Sequence, residues 1–284
     1  MKNTREHSCW PTRAYPINVL SRHEIVNDVV GGVPVAVTYC PLCFSGIVFD
    51  RRIEGELLEF GVSGKLVMND LVMYDRQTDS LWQQLLGEGI RGRFKGVRLE
   101  ILAASHTSWS SWLAAQPDTL VLDKGGGYKS DSYASYYDRN DRGVIPGSGA
   151  DGRLPGKALV LGLVVDDEPK AYPFDTLSGE TVVNDRLGGL DTLVVFDARS
   201  TTAVAFHRSL DGRSLSFRAA AVGSLRLVDV ETGSVWSALT GEAIAGALAG
   251  RTLRQLPATY AFWFAWSDFY RTTNLYTTAA GAAP

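Results

Sequence analysis

The chain repeats itself, and this internal repeat constrains the fold more than any other feature of the sequence. Residues 14–32 and residues 171–189 are identical at 10 of 19 positions, at a constant offset of 157 (171 − 14). Residues 75–102 and residues 229–256 are identical at 12 of 28 positions, at an offset of 154 (229 − 75). Repeats of this size indicate duplicated supersecondary units, so both copies are expected to adopt one topology.

The repeat predicts how the chain is organised. At 284 residues the chain is long enough for two compact units. The predicted segments are the first half (residues 1–123), the connector (residues 124–156), the second half (residues 157–276) and a disordered tail (residues 277–284). The connector is polar and rich in Gly, Ser, Asp and Tyr. It is either a lid over a site in the first half or an ordered crossover, and the sequence leaves both interpretations open.

Short runs rich in β-branched and aromatic residues predict the type of fold. Residues 33–39 (VPVAVTY) and residues 191–197 (DTLVVFD) are two of these runs, and turn sequences separate them from their neighbours. Each half ends in a pattern typical of a helix, at residues 107–116 and residues 261–272. We therefore predict a β-rich α+β fold, made of two tandem, pseudo-symmetric repeats of antiparallel strands that are each closed by a helix.

Composition excludes several classes of function. The net charge of −3 and the isoelectric point near 5.8 argue against a surface for nucleic acid or anionic lipid. No apolar run approaches the ~20 residues of a transmembrane helix, and the N-terminus carries no signal-peptide pattern. We therefore expect a cytoplasmic protein with neither nucleic-acid nor membrane partners. The sequence also lacks a phosphate-binding loop and a dinucleotide-binding fingerprint.

The two halves differ at residue types that bind metals. Each of these first-half residues is aligned with a residue of another type in the second half: Cys40 with Asp197, Cys43 with Ser200, His23 with Glu180, and His106 with Tyr260. Because the second half is expected to fold without these side chains, the Cys-x-x-Cys pair is not needed merely for folding. This comparison argues against a purely structural zinc site.

These differences predict a mononuclear metal site in the first half, with Cys40, Cys43, His106 and His23 as the candidate ligands. Two thiolates and one or two imidazoles suit copper, iron or zinc but not magnesium or calcium, and we favour copper because of the thiolates. An incomplete ligand set leaves a coordination position open, which suits catalysis. For each histidine the alternative is a hydrogen-bonded structural residue. Met68 and Met73 could add thioether contacts, although apolar core positions are the commoner role.

Two charged pairs of the first half are further candidates for the catalytic set, beside Cys40 and Cys43. The pairs are Asp50-Arg51 and Asp75-Arg76, which lie at strand ends and are not retained as pairs in the second half. They could bind a carboxylate-bearing substrate or orient a ligand histidine, and salt bridges are the alternative. Two amides, Gln83 and Gln84, are weaker candidates for substrate contacts. Cys9 lies apart from the other two cysteines and is read as a small buried apolar residue.

Three stretches of the first half resemble a known family. TYCPLC (residues 38–43), FDR (residues 49–51) and YDRQTDSLW (residues 74–82) are similar to the bacterial and archaeal family known as domain of unknown function 3179. The resemblance covers most of residues 14–120 and continues weakly into the second half. The family name implies no activity. Its members often look exported or lipid-anchored, whereas this sequence shows no leader, which suggests a cytoplasmic role in the biosynthesis of a small molecule.

The sequence leaves three functions open. We favour a metal-dependent oxidoreductase that acts on a small molecule, with O2 or the substrate at the open coordination position. The second is a redox protein that cycles Cys40 and Cys43 between dithiol and disulfide. The pair does not precede a recognisable helix that would stabilise a thiolate, which argues against this function. The third is a metal-binding protein without catalytic activity.

Overall fold

A computed structural model describes residues 12–139, 141–146, 151–221 and 224–278. This part of the chain is β-rich, with several antiparallel sheets and few helices, as the sequence predicts. Cys9 and most of the predicted tail lie outside the described residues. The five helices of the described residues are α1 (Ile17–His23), α2 (Trp109–Ala115), α3 (Ala134–Tyr137), α4 (Phe174–Gly179) and α5 (Trp263–Phe269). None of these helices is long and apolar enough to cross a lipid bilayer.

Strands alternate with tight turns throughout both halves. The first-half strands are β1 (Arg13–Ala14), β2 (Ile25–Val30), β3 (Val33–Cys40), β4 (Ser45–Asp50), β5 (Arg52–Ile53), β6 (Glu56–Leu57), β7 (Phe60–Val67), β8 (Asp70–Asp75), β9 (Leu81–Gln83), β10 (Glu88–Arg91), β11 (Ile101–Leu102) and β12 (Leu120–Val121). The second-half strands are β13 (Leu159–Val165), β14 (Glu168–Pro173), β15 (Val182–Leu187), β16 (Leu190–Asp197), β17 (Thr202–His207), β18 (Ser209–Leu210), β19 (Arg213–Ser214), β20 (Phe217–Ala219), β21 (Arg226–Asp229), β22 (Val235–Ser237), β23 (Ala243–Ala245), β24 (Arg254–Gln255), β25 (Thr259–Phe262) and β26 (Asn274–Leu275).

Two four-stranded antiparallel sheets in each half have the same strand order. The first half contains β11-β4-β3-β2 and β10-β9-β8-β7, and the second half contains β24-β17-β16-β15 and β23-β22-β21-β20. The hairpins follow from the turn residues, since Gly31 and Gly188 take positive φ angles of 57° and 54° where β2 and β15 end. That the halves are pseudo-symmetric repeats stays a prediction, which these strand orders favour.

A parallel pair of strands ties together the two ends of each half. In the first half Arg13 of β1 pairs with Leu120 of β12, and in the second half Lys170 of β14 pairs with Asn274 of β26. These pairs agree with the sequence offsets, because 170 − 13 is 157 and 274 − 120 is 154. The second half adds β13 and β25 to this sheet, in the order β25-β13-β14-β26. Among the described residues of the first half, no strand takes the place of β13 or β25.

The largest hydrophobic cluster joins the two halves. It contains Cys40, Cys43 and Trp82 of the first half together with Trp263 and Trp266 of α5. The backbone N–H of residue 262 in β25 also donates to the carbonyl oxygen of Cys43, at 2.8 Å. The core around the two cysteines is therefore completed by the second half. The exact limits of the predicted segments stay predictions.

The two predicted closing helices form, but they differ in burial. Five of the seven residues of helix α5 are buried, and all of these except Ser267 are apolar. Helix α2 has no buried residue, and Trp109 at its first position remains 46% exposed. The hydroxyl oxygen of Ser108 accepts a hydrogen bond from the backbone N–H of Ser111 and so caps the beginning of α2. An exposed tryptophan on a helix that packs loosely marks an incompletely filled region of the first half.

Candidate metal centre

The β3–β4 hairpin brings the two cysteines together. Cys40 is the last residue of β3 and pairs with Ser45, the first residue of β4. The loop between them contains Pro41, which restricts the backbone, and Phe44, whose φ of 57° allows the chain to reverse direction. Cys40 is 2% exposed and Cys43 is fully buried, and both are free thiols. The spacing therefore places two sulfur atoms in the interior, below a short loop.

A third side chain, which the sequence analysis did not select, completes the group. Asp70 begins β8 directly after a turn at Met68 and Asn69, whose φ angles are 48° and 68°. The ligand atoms of Cys40, Cys43 and Asp70 all lie within 4.8 Å of one another, and all three residues are buried. Two sulfur atoms and one carboxylate oxygen at this separation can coordinate a single metal ion.

The two oxygens of Asp70 have different surroundings. Oδ2 accepts hydrogen bonds from Nε2 of Gln83 at 2.6 Å and from the backbone N–H of Leu85 at 2.9 Å. Oδ1 is buried and has no hydrogen-bond partner of normal geometry within the part of the chain that the structure describes. Burial raises the pKa of this carboxyl, and the nearby Cys43 thiol offsets part of that rise. Leaving a buried carboxylate oxygen unpaired costs about 1–3 kcal/mol or more. A cation bound between this oxygen and the thiols would remove that cost.

Burial sets the protonation of the group in the absence of a metal. It raises the pKa of the Asp70 carboxyl to about 7, and it raises the pKa of the Cys43 thiol well above its usual range. The thiols of Cys43 and Cys40 face the backbone carbonyl oxygen of Asn69 at 3.3 and 3.7 Å, as donors. Metal binding would reverse these shifts, because a cation favours thiolate and carboxylate and displaces their protons.

Neither histidine predicted as a ligand belongs to this group. The His106 ring is stacked on Phe44, with ring centroids 5.3 Å apart, and also contacts the Tyr260 ring. Burial lowers the pKa of His106 to about 4. His23 is exposed, and its Nε2 lies 2.7 Å from the hydroxyl oxygen of Tyr128. Metal ligation by His106 and His23 therefore stays a prediction, while Asp70 supplies the third donor near the cysteines.

The pair Asp50-Arg51 makes its contacts with neighbouring strands rather than with the metal group. The Asp50 carboxylate forms an ion pair with Arg52 and accepts the backbone N–H of the same residue at 2.8 Å. Arg51 is buried and donates to the carbonyl oxygens of Leu58 at 2.9 Å and Asp28 at 3.2 Å. These contacts fix the end of β4. The catalytic role predicted for the pair stays a prediction, with a structural role as the alternative.

Of the pair Asp75-Arg76, only Asp75 has a close structural counterpart in the second half, which is Asp229. Asp75 accepts a hydrogen bond from Nε1 of Trp82 at 2.9 Å, and Asp229 accepts one from Nε1 of Trp236 at the same distance. The side chain of Arg76 forms a surface ion pair of 3.1 Å. Because the second half repeats the Asp–Trp contact without the cysteines, that contact serves the fold. The predicted catalytic role of the pair stays a prediction.

Comparison with known proteins identifies a family. Residues 10–273 match the family described as a protein of unknown function, DUF3179. The chain belongs to this family. No curated protein and no solved structure matches the chain. The family description assigns no activity, so the function of this DUF3179 protein has to be argued from its site.

The repeat contained the signal that would have identified the missing ligand. At the offset of 154, Asp70 is aligned with Ser224 and its partner Gln83 with Ser237. Both therefore change between the halves together with the cysteines. This carboxylate was not selected because only Cys, His and Met were considered as metal ligands. Of the two methionines considered, Met73 is fully buried in the core and Met68 is exposed.

Proposed function

We propose that this DUF3179 protein is a metal-dependent oxidoreductase that acts on a small molecule and holds one transition metal ion with Cys40, Cys43 and Asp70. The observation that carries the proposal is the buried carboxylate of Asp70. Its Oδ1 lacks a hydrogen-bond partner among the described residues, and one of its oxygens lies within 4.8 Å of the sulfur atoms of both cysteines. A bound cation would satisfy this oxygen and stabilise both thiolates.

The two sulfur donors and the carboxylate donor limit which metal ions can bind. Two thiolates and a carboxylate carry three negative charges when deprotonated, and a divalent transition metal ion would neutralise two of them. Copper is the first choice, because affinity along the first transition series peaks at copper and thiolates are soft ligands. A carboxylate oxygen is a harder donor than the predicted imidazole. This difference brings iron(II) and zinc closer to copper as candidates for the bound ion.

Three protein donors leave room for a catalytic step. Structural zinc sites usually have four protein ligands, whereas catalytic sites keep a position for water or substrate. A bound copper or iron ion would supply one-electron chemistry at that position, with O2 or an organic substrate as the reaction partner. We propose a small-molecule substrate because the group is enclosed and offers no extended surface for a macromolecule.

Two glutamines hold the donors in place. Gln83 donates to Oδ2 of Asp70, and its own Oε1 accepts the backbone N–H of Leu86 at 2.7 Å. Gln84 accepts the Ser45 hydroxyl at 2.9 Å and donates to Oγ1 of Thr38 at 3.0 Å, which braces the base of the cysteine hairpin. Such contacts orient ligands and commonly change metal affinity by 10–100-fold when they are removed. Gln83 and Gln84 are therefore proposed as positioning residues.

Burial argues against the dithiol alternative. A thiol that exchanges with a partner must be accessible and must ionise readily. Cys40 and Cys43 are 2% and 0% exposed, and burial raises the pKa of the Cys43 thiol. A metal-binding protein without catalytic activity is the remaining alternative, and the identity and redox behaviour of the ion distinguish it from the proposed enzyme.

Metal analysis tests the proposal. Metal-free protein is reconstituted separately with copper, iron(II) and zinc, freed of excess ion by gel filtration, and measured by inductively coupled plasma mass spectrometry. We expect about one ion per chain in the wild type and at least a tenfold lower content in a Cys40→Ser/Cys43→Ser variant. The Cys9→Ser variant is the matched control and should keep its ion.

Two results would contradict this expectation. One is a folded wild type that retains no ion after reconstitution, and the other is full metal content in a folded Cys40→Ser/Cys43→Ser variant. Circular dichroism verifies the fold in each case. Binding of zinc with exclusion of copper and iron would favour the protein without catalytic activity. Copper or iron whose electron paramagnetic resonance signal changes reversibly with ascorbate would favour the oxidoreductase.

We further propose that the connector acts as a lid over the metal group. The Tyr136 hydroxyl donates to the carbonyl oxygen of Leu42, inside the cysteine loop, and accepts the backbone N–H of Gly143, both at 3.0 Å. The side-chain oxygen of Asn69 accepts the backbone N–H groups of residues 144 and 145, both at 2.6 Å. These polar contacts hold the connector against the two loops that carry the donors, together with the packing of Tyr136 in the cluster that contains both cysteines. A substrate would enter when these contacts break.

A Gly143→Ala substitution should loosen the lid. Gly143 has a φ of 70°, and a Cβ there would lie 2.2 Å from the side chain of Asn69. Gly125 has a similar φ of 77° in the same connector, with nothing within 4 Å of its Cβ position. In a metal-free Cys9→Ser background, we expect Gly143→Ala to increase the rate of Cys40 and Cys43 labelling by a thiol reagent about tenfold. Gly125→Ala shares the backbone strain and should leave the rate unchanged; equal rates in both variants would contradict the lid.

A further inference from the structure

A cavity of about 950 Å³ lies on the face of the β11-β4-β3-β2 sheet opposite the metal group. Side chains of β3 point alternately to the two faces of the sheet. Val35, Val37 and Tyr39 line the cavity, whereas Cys40 packs in the core cluster on the other face. The cavity is thus formed mainly by the first half, with Gln255, Ala258 and Tyr260 of the second half in its wall, and the proposed metal chemistry does not use it.

The corresponding space in the second half is filled by the protein itself. Leu161 and Leu163 of β13 pack there, against Val194 and Phe196 of β16, in one buried cluster. By the offset of 157, Val194 and Phe196 correspond to Val37 and Tyr39, which line the cavity in the first half. The same sheet face is therefore covered by two leucines in the second half, whereas among the described residues of the first half it borders an open space.

The residues of the first half that are aligned with those two leucines are not apolar. At the same offset, Leu161 and Leu163 are aligned with Thr4 and Glu6. Both residues lie outside the described part of the chain, and neither side chain is apolar. A Thr and a Glu cannot supply the hydrophobic contacts that bury the sheet face in the second half.

The two halves also differ in one polar group at the wall. The hydroxyl group of Tyr260 can donate its one hydrogen to the backbone carbonyl of His106, at 2.8 Å, or to that of Ala203, at 3.0 Å, and it accepts the backbone N–H of Ala203. His106, the residue aligned with Tyr260, lines the cavity, and its buried Nδ1 has no hydrogen-bond partner among the described residues. A buried ring nitrogen without a hydrogen-bond partner destabilises the folded protein. A ligand that forms a hydrogen bond with this nitrogen would remove that cost.

We propose that this cavity binds a small apolar molecule that carries one hydrogen-bonding group, with His106 as the residue that receives this group. The remaining wall is mostly apolar and includes Val48, Leu102 and Trp109. Binding sites for small molecules are concave, lined by apolar and aromatic side chains with a few polar groups, and have volumes of about 300–1,000 Å³. A bound ligand would also cover Trp109, whose exposure is otherwise unusual on a helix. The inference does not depend on the bound metal.

Fluorescence titration of the full-length, metal-free protein tests the cavity. The probe is N-phenyl-1-naphthylamine, a neutral apolar dye, and the competitors are 1-naphthol and naphthalene, which share a ring system and differ by one hydroxyl. We expect saturable binding of one dye per chain and displacement by both competitors. The apparent affinity for 1-naphthol should be about tenfold higher than for naphthalene, because only the hydroxyl can bond to His106. Absence of saturable binding would overturn the proposal.

Variants of this DUF3179 protein distinguish the contribution of the apolar wall to ligand binding from that of His106. His106→Leu should remove the preference for 1-naphthol and keep dye binding, whereas the control His207→Leu, outside the cavity, should change neither. The double variant Ile17→Phe/His106→Tyr copies Phe174 and Tyr260 of the second half into the cavity and should reduce dye affinity at least tenfold. Circular dichroism verifies the fold, and the single His106→Leu variant remains informative if the double variant is unstable.

Three outcomes would overturn the assignment. Unchanged dye affinity in a folded double variant would place the dye elsewhere. An unchanged preference for 1-naphthol in His106→Leu would remove the assigned role of His106. Tighter dye binding after deletion of residues 1–11 would make the chain's own N-terminal segment the occupant, in place of a small molecule.

Discussion

An Asp70→Asn variant is expected to be more stable than the wild type when metal is absent and to bind metal at least 100-fold more weakly. Asn keeps the shape of the side chain and an oxygen for Gln83 and Leu85, which donate to Oδ2 at 2.6 and 2.9 Å. It removes the buried negative charge and one metal ligand. A pKa raised from 3.8 to about 7 corresponds to a cost of up to about 4 kcal/mol, so a gain of about 2–4 kcal/mol is expected at pH 8.

The raised pKa of Asp70 determines how the free energy of unfolding should change with pH. Below about pH 4, Asp70 is protonated in both the folded and the unfolded protein. Between about pH 4 and pH 7 only the folded state retains the proton, so a rise in pH lowers the free energy of unfolding. Asp70→Asn should lack this slope. Urea denaturation of both metal-free proteins at pH 5 and pH 8 measures the difference, with exposed Asp118→Asn as the control. Parallel slopes in the wild type and Asp70→Asn would contradict the prediction.

Replacement of Asp75 by Ala should lower the free energy of unfolding by about 3–5 kcal/mol and leave the metal content of the folded protein unchanged. The substitution removes the acceptor for the fully buried Trp82 indole N–H, at 2.9 Å, and for the backbone N–H of Thr78, at 2.6 Å. A buried donor without a partner costs about 1–3 kcal/mol, and bonds to a charged group are among the stronger ones. Urea denaturation and metal analysis of the reconstituted protein measure both effects.

The second half supplies the matched control for this experiment. Asp229 makes the same two contacts, with the Trp236 indole N–H at 2.9 Å and the backbone N–H of Thr232 at 2.6 Å. Asp229→Ala should therefore cost a similar free energy, within about 1 kcal/mol, in a region without metal ligands. If Asp75→Ala instead lost its metal and kept the stability of the wild type, the catalytic role predicted from the sequence would gain support.

The sequence predicted the β-rich fold well because its signals are local. Alternating β-branched residues and turn sequences predicted most long strands, including the hairpin that carries Cys40 and Cys43, because period and turn chemistry depend on neighbouring residues. The two-residue strands β1 and β12 were not predicted, since pairing of Arg13 with Leu120 is decided by tertiary contact. The same holds for β25, whose contact with Cys43 joins the halves.

The metal group could be predicted only in part. Cys40 and Cys43 are three residues apart, so their proximity follows from the chain itself. Asp70 reaches them from a different hairpin, and no spacing rule connects residue 70 with residue 40. The choice of His106 rested on residue type and on its replacement by Tyr260, and its ring packs on Phe44. Asp70 differs between the halves in the same way, so residue type alone was too narrow a criterion for a ligand.

The contact between Phe262 and Cys43 also has a consequence for the order of events during synthesis of the chain. These residues are separated by 219 positions (262 − 43), and α5 completes the cluster that buries the cysteines. During synthesis both thiols therefore leave the ribosome long before the segment that encloses them. A nascent chain presents two unprotected thiols throughout that interval. Delivery of the ion by another protein, or damage by oxidation, has its best opportunity before the last strands are made.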